Sequence, residues 1–550
     1  MNVEVLLELK IKNLDKTFTY HVPDYLKEKI KIGKRVLAPF GNQKLEGFIL
    51  KINNEEITYD LKDIIDVIDE DVILNEELLE IGKYISKKTL CTLISCYQTM
   101  LPKALKAQNK TKINKRYVTY LKLNEIPKNI KSEKQKQILD LLKEGKKLKT
   151  ECIKISPSSV KTLLQNNVIH EIKEEEYRLQ EETVLKTNKI KLSQEQQNVV
   201  DEVLKTKNKF VPYLLHGVTG SGKTEVYMTI IEDIIKSKNV IVLVPEISLT
   251  PQFIEKFQNR FGNKIAILHS ALSDGERYDE WRKIKKNKVN IVIGARSAVF
   301  APVKNLGLVI IDEEHSQTYK QENNPKYNAI DVALFRAKKN NCPIVLGSAT
   351  PSIESYTRAK TNVYKLLELK TRVNASLPIV KLVDMKEEIK SGNRVLSNIL
   401  IEKINERINK NEQVILLLNR RGYTTIATCK NCGYVHNCPN CDIPLIYHKS
   451  SNTMRCHYCG YGDKKLENCP ICKSKDIIDY GMGTEKLEQI VNETFKNAKT
   501  LRMDIDTTSK KGSHKKLIDL FKSGEYNILI GTQMIAKGLD FANVTLVGVI

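Results

Sequence analysis

The most informative stretch of this 550-residue chain is Gly217, Val218, Thr219, Gly220, Ser221, Gly222, Lys223 and Thr224. It fits the pattern G-x-x-x-x-G-K-[ST], follows the apolar run YLLH and precedes the helix-forming run EVYMTII. In such a loop, backbone N–H groups at a helix N-terminus surround phosphates, the lysine adds positive charge and the threonine hydroxyl binds Mg²⁺. The spacing therefore predicts a phosphate site in which Lys223 and Thr224 are catalytic.

Apolar strands alternate with helical segments from about Leu192 onward. The strand runs are YLLHG, VIVLVP, NIVIG, LVIID, PIVLGS, QVILLLN, YNILIG and VTLVGVI. This spacing indicates βαβ units with parallel sheets covered on both faces. Because a Cys-rich insert separates two groups of strands, the sequence predicts two α/β lobes.

Three acidic residues, Asp312 to Glu314, follow the strand run LVII, about 90 residues after the phosphate loop. Alone, such a group is more often a helix cap, but its place after the loop predicts that Asp312 binds Mg²⁺ and that Glu313 orients or deprotonates the attacking water. Small hydroxylic residues end two further strands, in Ser348–Thr350 and Gly531–Gln533. In this order the motifs predict a two-lobed motor whose cleft opens and closes with nucleotide state.

Eight of the 12 cysteines lie between residues 429 and 472. They form four C-x₂-C pairs, namely Cys429 with Cys432, Cys438 with Cys441, Cys456 with Cys459, and Cys469 with Cys472. In a reducing compartment, clustered pairs indicate metal rather than disulfides, so we expect two four-thiolate Zn²⁺ sites. Spacing alone leaves adjacent, interleaved and nested pairings open. The nearby His436, His448 and His457 are expected at the surface.

The amino-acid composition limits the classes of molecule that the protein is expected to bind. Lys and Arg number 89 against 66 Asp and Glu, a net charge of +23 that suits nucleic acid or an anionic membrane surface, although A/T-rich coding bias also enriches lysine. Apolar runs reach about five residues against the ~20 of a membrane-spanning helix. Glu4, Glu8 and Lys10 interrupt any export signal. We therefore expect a soluble, cytoplasmic protein with no membrane partner.

Three further segments carry weaker signals. Residues 18–68 contain short β-rich runs broken by Pro and Gly, which favours a small β domain. The basic segment 102–116 is either a linker or a phosphate-contacting strip. Residues 131–173 contain two helical patterns, one capped by Ser156, and fit a winged-helix module or a helical connector.

The polar segment after the acidic motif is a candidate single-strand interface or a plain surface loop. It carries Tyr319, Lys320 and Tyr327. Aromatic and basic residues together suit stacking on bases with contacts to the backbone. We predict that these three residues bind DNA.

With these residues in hand, the chain resembles the PriA family of primosomal replication-restart helicases of superfamily 2. The matching stretches are GVTGSGKTEVY, LVPEISLTPQ, LHSALSDGER, GARSAVFAP, DEEH, YKQENNPKY, GSATPSIES, NRRGY, the eight-Cys insert, MDIDTT and GTQMIAKGLDF. They occur in family order, from the FTYHVP segment to the last residue.

The resemblance implies an α/β multidomain fold with two RecA-like parallel-sheet helicase lobes. It places an N-terminal β-rich 3′-end DNA-binding domain at 1–105, a winged-helix-like domain at 106–185, an ATP-binding lobe 1 at 190–370 and lobe 2 at 371–550. The two-zinc insert occupies 429–472. The family's QxxGRxGR motif is absent from the sequence, so we expect a fragment of a longer chain whose second lobe is incomplete; the alternative is a truncated form with poor hydrolysis.

The resemblance also implies residue roles. The 3′-end pocket is built from Phe18, Thr19, Gly41 and Lys62, and Gln196 recognises the adenine of ATP. The cysteines bind two Zn²⁺ in a nested arrangement: Cys429, Cys432, Cys469 and Cys472 hold one ion, and Cys438, Cys441, Cys456 and Cys459 hold the other.

The function implied is that of an ATP-dependent 3′–5′ DNA helicase that recognises and remodels stalled or abandoned replication forks, promoting primosome assembly and reloading of the replicative helicase. Its cofactors are ATP, Mg²⁺ and two Zn²⁺. Its partners are branched DNA, single-stranded DNA, single-strand DNA-binding protein, and primosome and helicase-loader proteins. The alternative is an ATP-independent fork-binding scaffold that recruits primosome proteins.

Overall fold

The computed structural model describes the chain except for a set of short segments. These are residues 55–59, 108–112, 114, 126–131, 180–189, 246–250, 374–377, 391–394, 419–424, 430, 449–452, 457–458, 481–482, 505–506, 509–512, 536–538 and 540. The chain divides into two compact units, Met1–Glu246 with Lys256–Ala375 and Ile247–Glu255 with Ser376–Ile550. Each unit has its own hydrophobic clusters.

An antiparallel sheet begins the first unit and confirms the predicted small β domain. Its strands are β1 (Asn2–Leu7), β2 (Phe18–His21), β3 (Arg35–Phe40), β4 (Gln43–Asn53) and β5 (Asp66–Val67), in the order β2-β1-β4-β3-β5. Val3, Val5 and Leu7 alternate along β1 with the two-residue period of a strand, so their side chains enter one core. The Cα partners of Val5 are Phe18 on β2 and Ile49 on β4, which sets the register of the sheet.

A helical pair follows this sheet: α1 (Glu76–Thr89) and α2 (Leu93–Met100). The side chain of Asn75 accepts a hydrogen bond from the N–H of Leu78 and so caps α1. Leu78, Ile81 and Ile85 recur at helical spacing and are buried on one face. The predicted β domain therefore continues into two helices.

A small mixed module comes next. It contains β6 (Arg116–Leu123), α3 (Glu133–Lys143), β7 (Lys147–Leu148), α4 (Lys149–Ile155), α5 (Pro157–Gln165) and β8 (Ile169–Glu176), with the antiparallel strand order β7-β6-β8. The hydroxyl of Ser156 accepts the N–H of Ser159, which confirms the predicted cap. The winged-helix assignment stays a prediction. The basic segment 102–116 before β6 lies partly outside the described residues.

A seven-stranded parallel sheet forms the rest of the first unit. Its strands are β9 (Pro212–Gly217), β10 (Asn239–Leu243), β11 (Ile265–Leu268), β12 (Ile291–Gly294), β13 (Leu306–Ile311), β14 (Ile344–Ser348) and β15 (Lys365–Leu369), in the order β11-β12-β10-β13-β14-β9-β15. The accompanying helices are α6 (Gln194–Leu204), α7 (Lys223–Ile234), α9 (Asp274–Lys285), α10 (Ala329–Lys339) and α11 (Ile353–Lys360), and α8 (Pro251–Phe261) is divided between the two units after Glu255. This confirms the first predicted α/β lobe.

The second unit contains a parallel sheet and an antiparallel one. Its elements are α12 (Met385–Lys390), α13 (Asn398–Asn409), β16 (Gln413–Leu417), β17 (Thr425–Cys429), β18 (Ile446–His448), β19 (Thr453–Arg455), β20 (Gly462–Lys464), β21 (Ile477–Tyr480), α14 (Thr484–Thr494), β22 (Thr500–Met503), α15 (Ser513–Lys522), β23 (Ile528–Gly531) and β24 (Val544–Val549). The parallel order is β22-β23-β16-β24 and the antiparallel order is β20-β19-β18-β17-β21. The second α/β lobe with its Cys-rich insert is therefore confirmed.

A buried ion pair ties the N-terminal helices to the large sheet. The guanidinium of Arg336 on α10 is fully buried and donates to both carboxylate oxygens of Glu77 on α1, at 2.9 and 2.8 Å. It also donates to the carbonyls of Val299 and Ala301, at 2.6 and 3.0 Å. Because a bidentate pair fixes orientation, α1 and α10 are held at one mutual position.

Among the described helices, none has both the length and the apolar character that crossing a bilayer requires.

Candidate nucleotide, zinc and DNA sites

The phosphate loop joins β9 to α7, as its sequence predicts. Gly220 and Gly222 have φ of +79° and +80°, the left-handed region that glycine adopts without strain. Lys223 begins α7, and its Nζ donates to the carbonyl of Gly217 at 2.8 Å. The hydroxyl of Ser221 is buried and has no hydrogen-bond partner among the described residues. A buried unpaired hydroxyl beside a lysine suits a phosphate, which accepts hydrogen bonds from both.

Gln196 lies against this loop. Its Nε2 donates to the carbonyl of Ser221 at 2.8 Å, and its Oε1 accepts the N–H of Ser193 at 2.9 Å. The Ser193 hydroxyl accepts the N–H of Gln196 in return, which completes a capping box at the start of α6. The predicted residue is therefore at the nucleotide site, where its amide holds the loop; adenine recognition stays a prediction.

The two predicted acids follow β13, the strand next to β14 and β10. The hydroxyl of Tyr227 on α7 donates to Asp312 Oδ1 at 3.0 Å, so the acid and the phosphate-loop helix are directly joined. Burial and the neighbouring charge of Glu313 raise the pKa of Asp312 to about 6. Burial also lowers the pKa of Lys223, against the opposing effect of the two acids. A cation and two carboxylates thus lie where Mg²⁺ and phosphate would be held.

The residues after these acids connect them to the end of β14. His315 Nδ1 lies 2.8 Å from the Ser348 hydroxyl, and its Nε2 lies 3.4 Å from a carboxylate oxygen of Glu313. Ser348 Oγ also accepts the N–H of Thr350 at 3.0 Å. The predicted hydroxylic motif is therefore in contact with the acidic motif.

Glu314 makes a second connection that the sequence did not reveal. Its side chain is buried, Oε1 accepts the N–H of Ser352 at 2.7 Å, and Oε2 accepts the hydroxyls of Ser352 and Ser355 at 3.0 and 2.8 Å. Ser352 is the N-cap of α11. Glu314 thus anchors α11 to the acidic motif.

The structure corrects the prediction that two tyrosines stack on DNA. Tyr319 is 1% exposed and Tyr327 is 3% exposed, so neither ring offers a face to a base. The Tyr319 hydroxyl donates to the carbonyls of Leu243 and Asp312 at 3.1 and 2.6 Å, and the Tyr327 ring packs 4.9 Å from that of Phe300. Both belong to the core because long-range packing, rather than loop composition, decides burial. Lys320 is exposed, and its role in DNA binding stays a prediction.

The four residues predicted for the 3′-end pocket lie together. A surface pocket of about 270 Å³ is lined by Phe18, Thr19, Tyr20, Pro39, Phe40, Gly41, Asp60, Leu61 and Lys62. The Phe18 and Phe40 rings meet edge to face, with centroids 5.2 Å apart. The pocket also contains Asp60, a carboxylate that the sequence patterns did not single out.

The eight cysteines form two sets of four. Within each set, all four Sγ atoms lie within 4.8 Å of one another. One set is Cys429, Cys432, Cys469 and Cys472, and the other is Cys438, Cys441, Cys456 and Cys459. The Cys429–Cys472 and Cys438–Cys459 Sγ pairs are 3.4 and 3.6 Å apart. Tetrahedral Zn²⁺ with ~2.3 Å bonds needs sulfur atoms about 3.8 Å apart, so both sets fit the ion. The nested pairing is therefore confirmed.

One expectation about the insert is wrong. His436 is 6% exposed, and its Nε2 lies 3.1 Å from the carboxylate of Asp463. The side chain of His448 and all of His457 lie outside the described residues, as do the NRRGY motif and part of GTQMIAKGLDF. Gly531 ends β23, as predicted.

Family descriptions match successive parts of the chain. They are "3'DNA-binding domain (3'BD)" at residues 4–102, "DEAD/DEAH box helicase" at 193–359, "PriA DNA helicase Cys-rich region (CRR) domain" at 438–463 and "Helicase conserved C-terminal domain" at 467–550.

Curated relatives match the chain along its length. It is 42% identical over 627 residues to the replication restart protein PriA of Bacillus subtilis (strain 168), covering 100% of this chain and 78% of that protein. It is 37% identical over 564 residues to the PriA of Chlamydia trachomatis serovar D, covering 97% and 74%. The solved structure of the DEAD-box helicase Mss116 bound to ssRNA and UDP-BeF aligns with 65% of this chain and 64% of that one, at 17% identity and a TM-score of 0.39.

The phosphate loop, the acids after β13 and the two parallel-sheet lobes define an ATP-dependent DNA helicase with RecA-like lobes. The N-terminal domain and the two-zinc insert identify the family within this class of helicases. The chain belongs to the PriA family of replication restart proteins.

Proposed function

We propose that this chain restarts replication as a 3′–5′ helicase: it recognises stalled or abandoned forks, remodels them with ATP and promotes primosome assembly and reloading of the replicative helicase. One observation carries the proposal. The pocket around Phe18 and the phosphate loop around Lys223 belong to one compact unit, so a DNA-end pocket and an ATPase site are parts of one body.

The nucleotide chemistry follows from the residues at the loop. Backbone N–H groups of 218–224 and the Lys223 ammonium hold the phosphates, and the Thr224 hydroxyl and Asp312 hold Mg²⁺. Glu313, which lies beside His315, orients the attacking water. Gln196, whose amide contacts the carbonyl of Ser221 in the loop, is the residue that recognises the adenine in this proposal.

The DNA partners are forks and single strands. The net charge of +23 favours phosphate backbones, and Lys320 adds an exposed cation after the acidic motif. Single-strand DNA-binding protein, primosome proteins and helicase loaders complete the set of partners. Fork affinity is expected to fall steeply as salt rises, because each neutralised phosphate releases a counterion.

Lys223→Ala tests the motor. We expect loss of DNA-stimulated ATP hydrolysis and of fork unwinding while fork binding is retained, because Lys223 contacts phosphate and not DNA. Lys236→Ala is the matched control: this lysine follows the same helix, is paired with Asp233 on the surface and should leave hydrolysis unchanged. Hydrolysis by Lys223→Ala at the wild-type rate would refute the assignment, and fork binding without ATP-dependent strand separation by the wild type would favour a scaffold.

A further inference from the structure

Tyr227 is buried between the phosphate-loop helix and the acidic motif. It lies on α7 one helical turn after Lys223, so both side chains extend from the same face of that helix. Its side chain is fully buried, and its hydroxyl donates to Asp312 Oδ1 at 3.0 Å. A side chain of the phosphate-loop helix is therefore bonded directly to the carboxylate that is proposed to hold Mg²⁺.

The backbone of Asp312 is fixed by other contacts. Its N–H donates to the carbonyl of Leu243 at 2.9 Å, and its carbonyl accepts the Tyr319 hydroxyl at 2.6 Å. Because the backbone is held, the direction of the carboxylate depends on the rotation of the side chain. The hydrogen bond from Tyr227 fixes that rotation, since a bond to an ionised acceptor is strong and directional.

The acceptor of the Tyr227 hydroxyl differs from those of other buried tyrosines. Backbone carbonyls accept the hydroxyls of Tyr20, Tyr97, Tyr213 and Tyr319. Asp312 is instead a carboxylate in the interior, where burial and the charge of Glu313 raise its pKa to about 6. Such a group lowers stability in its charged form, so a role in function, rather than in stability, accounts for this contact.

Gly347 on β14 leaves the space that the hydroxyl occupies. An alanine at this position would place its Cβ in overlap with the Tyr227 hydroxyl oxygen and 2.9 Å from the ring Cζ. The φ of Gly347 is outside the left-handed region, so the position requires the absence of a side chain and not the backbone freedom of glycine. The Gly347 carbonyl accepts the N–H of Glu314 at 3.1 Å, which holds this part of β14 against the acidic motif.

We propose that Tyr227 is a positioning residue for magnesium: its hydroxyl orients the Asp312 carboxylate for Mg²⁺, and Gly347 leaves room for that hydroxyl. The inference rests on the proposed role of Asp312 in holding Mg²⁺. It adds the side chain that orients this acid and the glycine that this side chain requires.

The test measures how Mg²⁺ changes nucleotide affinity, with no hydrolysis involved. The full chain is titrated with the N-methylanthraniloyl ester of ADP, a fluorescent analogue, in Mg²⁺ and in EDTA. We expect Mg²⁺ to strengthen binding by the wild type. Tyr227→Phe keeps the ring and removes the hydroxyl, so it should bind the analogue equally well in EDTA but about tenfold more weakly in Mg²⁺, as loss of a hydrogen bond to a charged group implies.

Tyr213→Phe is the matched control. It removes the hydroxyl of another fully buried tyrosine of the same sheet, which donates to the carbonyl of Glu202 at 3.2 Å and lies 2.9 Å from the Thr206 hydroxyl. Both of its affinities should equal those of the wild type. Because each variant loses one buried hydroxyl, a general loss of packing would affect the two variants alike.

Gly347→Ala tests the space around the hydroxyl. The added methyl group displaces the hydroxyl from Asp312, so this variant should also bind the analogue about tenfold more weakly in Mg²⁺. Gly347→Ala combined with Tyr227→Phe should bind as Tyr227→Phe does, because the oxygen that collides with the methyl group is gone. Losses that multiply in the double variant would show that the two residues act independently and would overturn the role of Gly347.

The outcomes separate the inference from the proposed function. If Mg²⁺ strengthens binding by the wild type and by Tyr227→Phe to the same extent, the role of Tyr227 is refuted while the Mg²⁺ site stands. If Mg²⁺ has no effect on the wild type, the Mg²⁺ site itself is refuted and the role of Tyr227 falls with it. Equal weakening of Tyr227→Phe in Mg²⁺ and in EDTA would mean that the tyrosine supports the phosphate loop and not the metal, which also contradicts the proposal.

Discussion

Replacement of Glu314 tests whether the acidic motif holds α11. In the structure its carboxylate accepts three hydrogen bonds, one from the Ser352 N–H and two from the hydroxyls of Ser352 and Ser355. Its own N–H donates to the carbonyl of Gly347 at 3.1 Å, at the end of β14. Glu314→Ala removes all three side-chain bonds and leaves the backbone bond.

The expected magnitude follows from the number and kind of these bonds. Hydrogen bonds to a charged group contribute about 1.5–3 kcal/mol each but are not additive, so we expect a total loss of about 2–4 kcal/mol. For a unit of this size that corresponds to a Tm lower by about 3–5 °C. Glu314→Gln should lose only about 1 kcal/mol, because its amide oxygen still accepts the Ser352 N–H and the serine hydroxyls can rotate to accept from the amide nitrogen.

The effect on activity should appear in kcat for ATP more than in KM. Ser348, which bonds His315 beside Glu313, is the last residue of β14, and Glu314 holds the N-terminus of the helix α11 that follows this strand. The assays are DNA-stimulated ATP hydrolysis and thermal unfolding.

Glu354→Ala is the matched control for this experiment, since Glu354 is an exposed acid in the first turn of the same helix. Agreement of Glu314→Ala with this control in both Tm and kcat would refute the reasoning.

Three further perturbations have distinct expected outcomes. Cys429→Ser with Cys472→Ser should leave one of two Zn²⁺ per chain in metal analysis, whereas Cys429→Ser with Cys438→Ser should leave none; equal losses would contradict the nested sets. Asp312→Asn should raise Tm at pH 8 and not at pH 4. The folded-state pKa of about 6 exceeds the usual 3.8, so the carboxylate lowers stability once the pH rises through that range, by about 1–3 kcal/mol; a pH-independent shift would disprove the cause. Arg336→Ala should lower the free energy of unfolding by about 3–5 kcal/mol, because the largely buried Glu77 carboxylate loses its ionic partner and keeps the hydrogen bond from Asn340. Lys339→Ala should cost under about 1 kcal/mol, because its pair with Glu80 is partly exposed; similar values would show that burial does not matter here.

The predictability of the site differs from residue to residue. The phosphate loop could be predicted because its glycines at fixed spacing, its lysine and the preceding strand lie within a few residues of one another. The acids after β13 were readable because parallel strands deliver their carboxyl ends to one edge of a sheet. The partner of Glu314 was not, because Ser352 and Ser355 lie beyond an intervening helix and strand.

The tyrosines after the acidic motif show the opposite case. A polar segment with Tyr319 and Tyr327 indicates an exposed aromatic surface by composition, yet both rings are buried. The Tyr319 hydroxyl reaches the carbonyl of Leu243 on β10, a contact between elements far apart in the sequence. The composition of a segment does not show which distant backbone carbonyls will accept a hydrogen bond from its side chains.

Local spacing along the chain was enough to predict the loop at 217–224, the alternation of strands and helices, and the four Cys pairs. Contacts between distant segments had to be seen in the folded chain: Asp60 lines the same pocket as Phe18, and Tyr319 is buried. The spacing of the cysteines did not show which pairs bind the same Zn²⁺. The family resemblance predicted the nested pairing, and the fold of the insert confirms it. This difference arises because a turn or a C-x₂-C pair is shaped by the neighbouring backbone, whereas burial and ligand sharing depend on how separate segments pack.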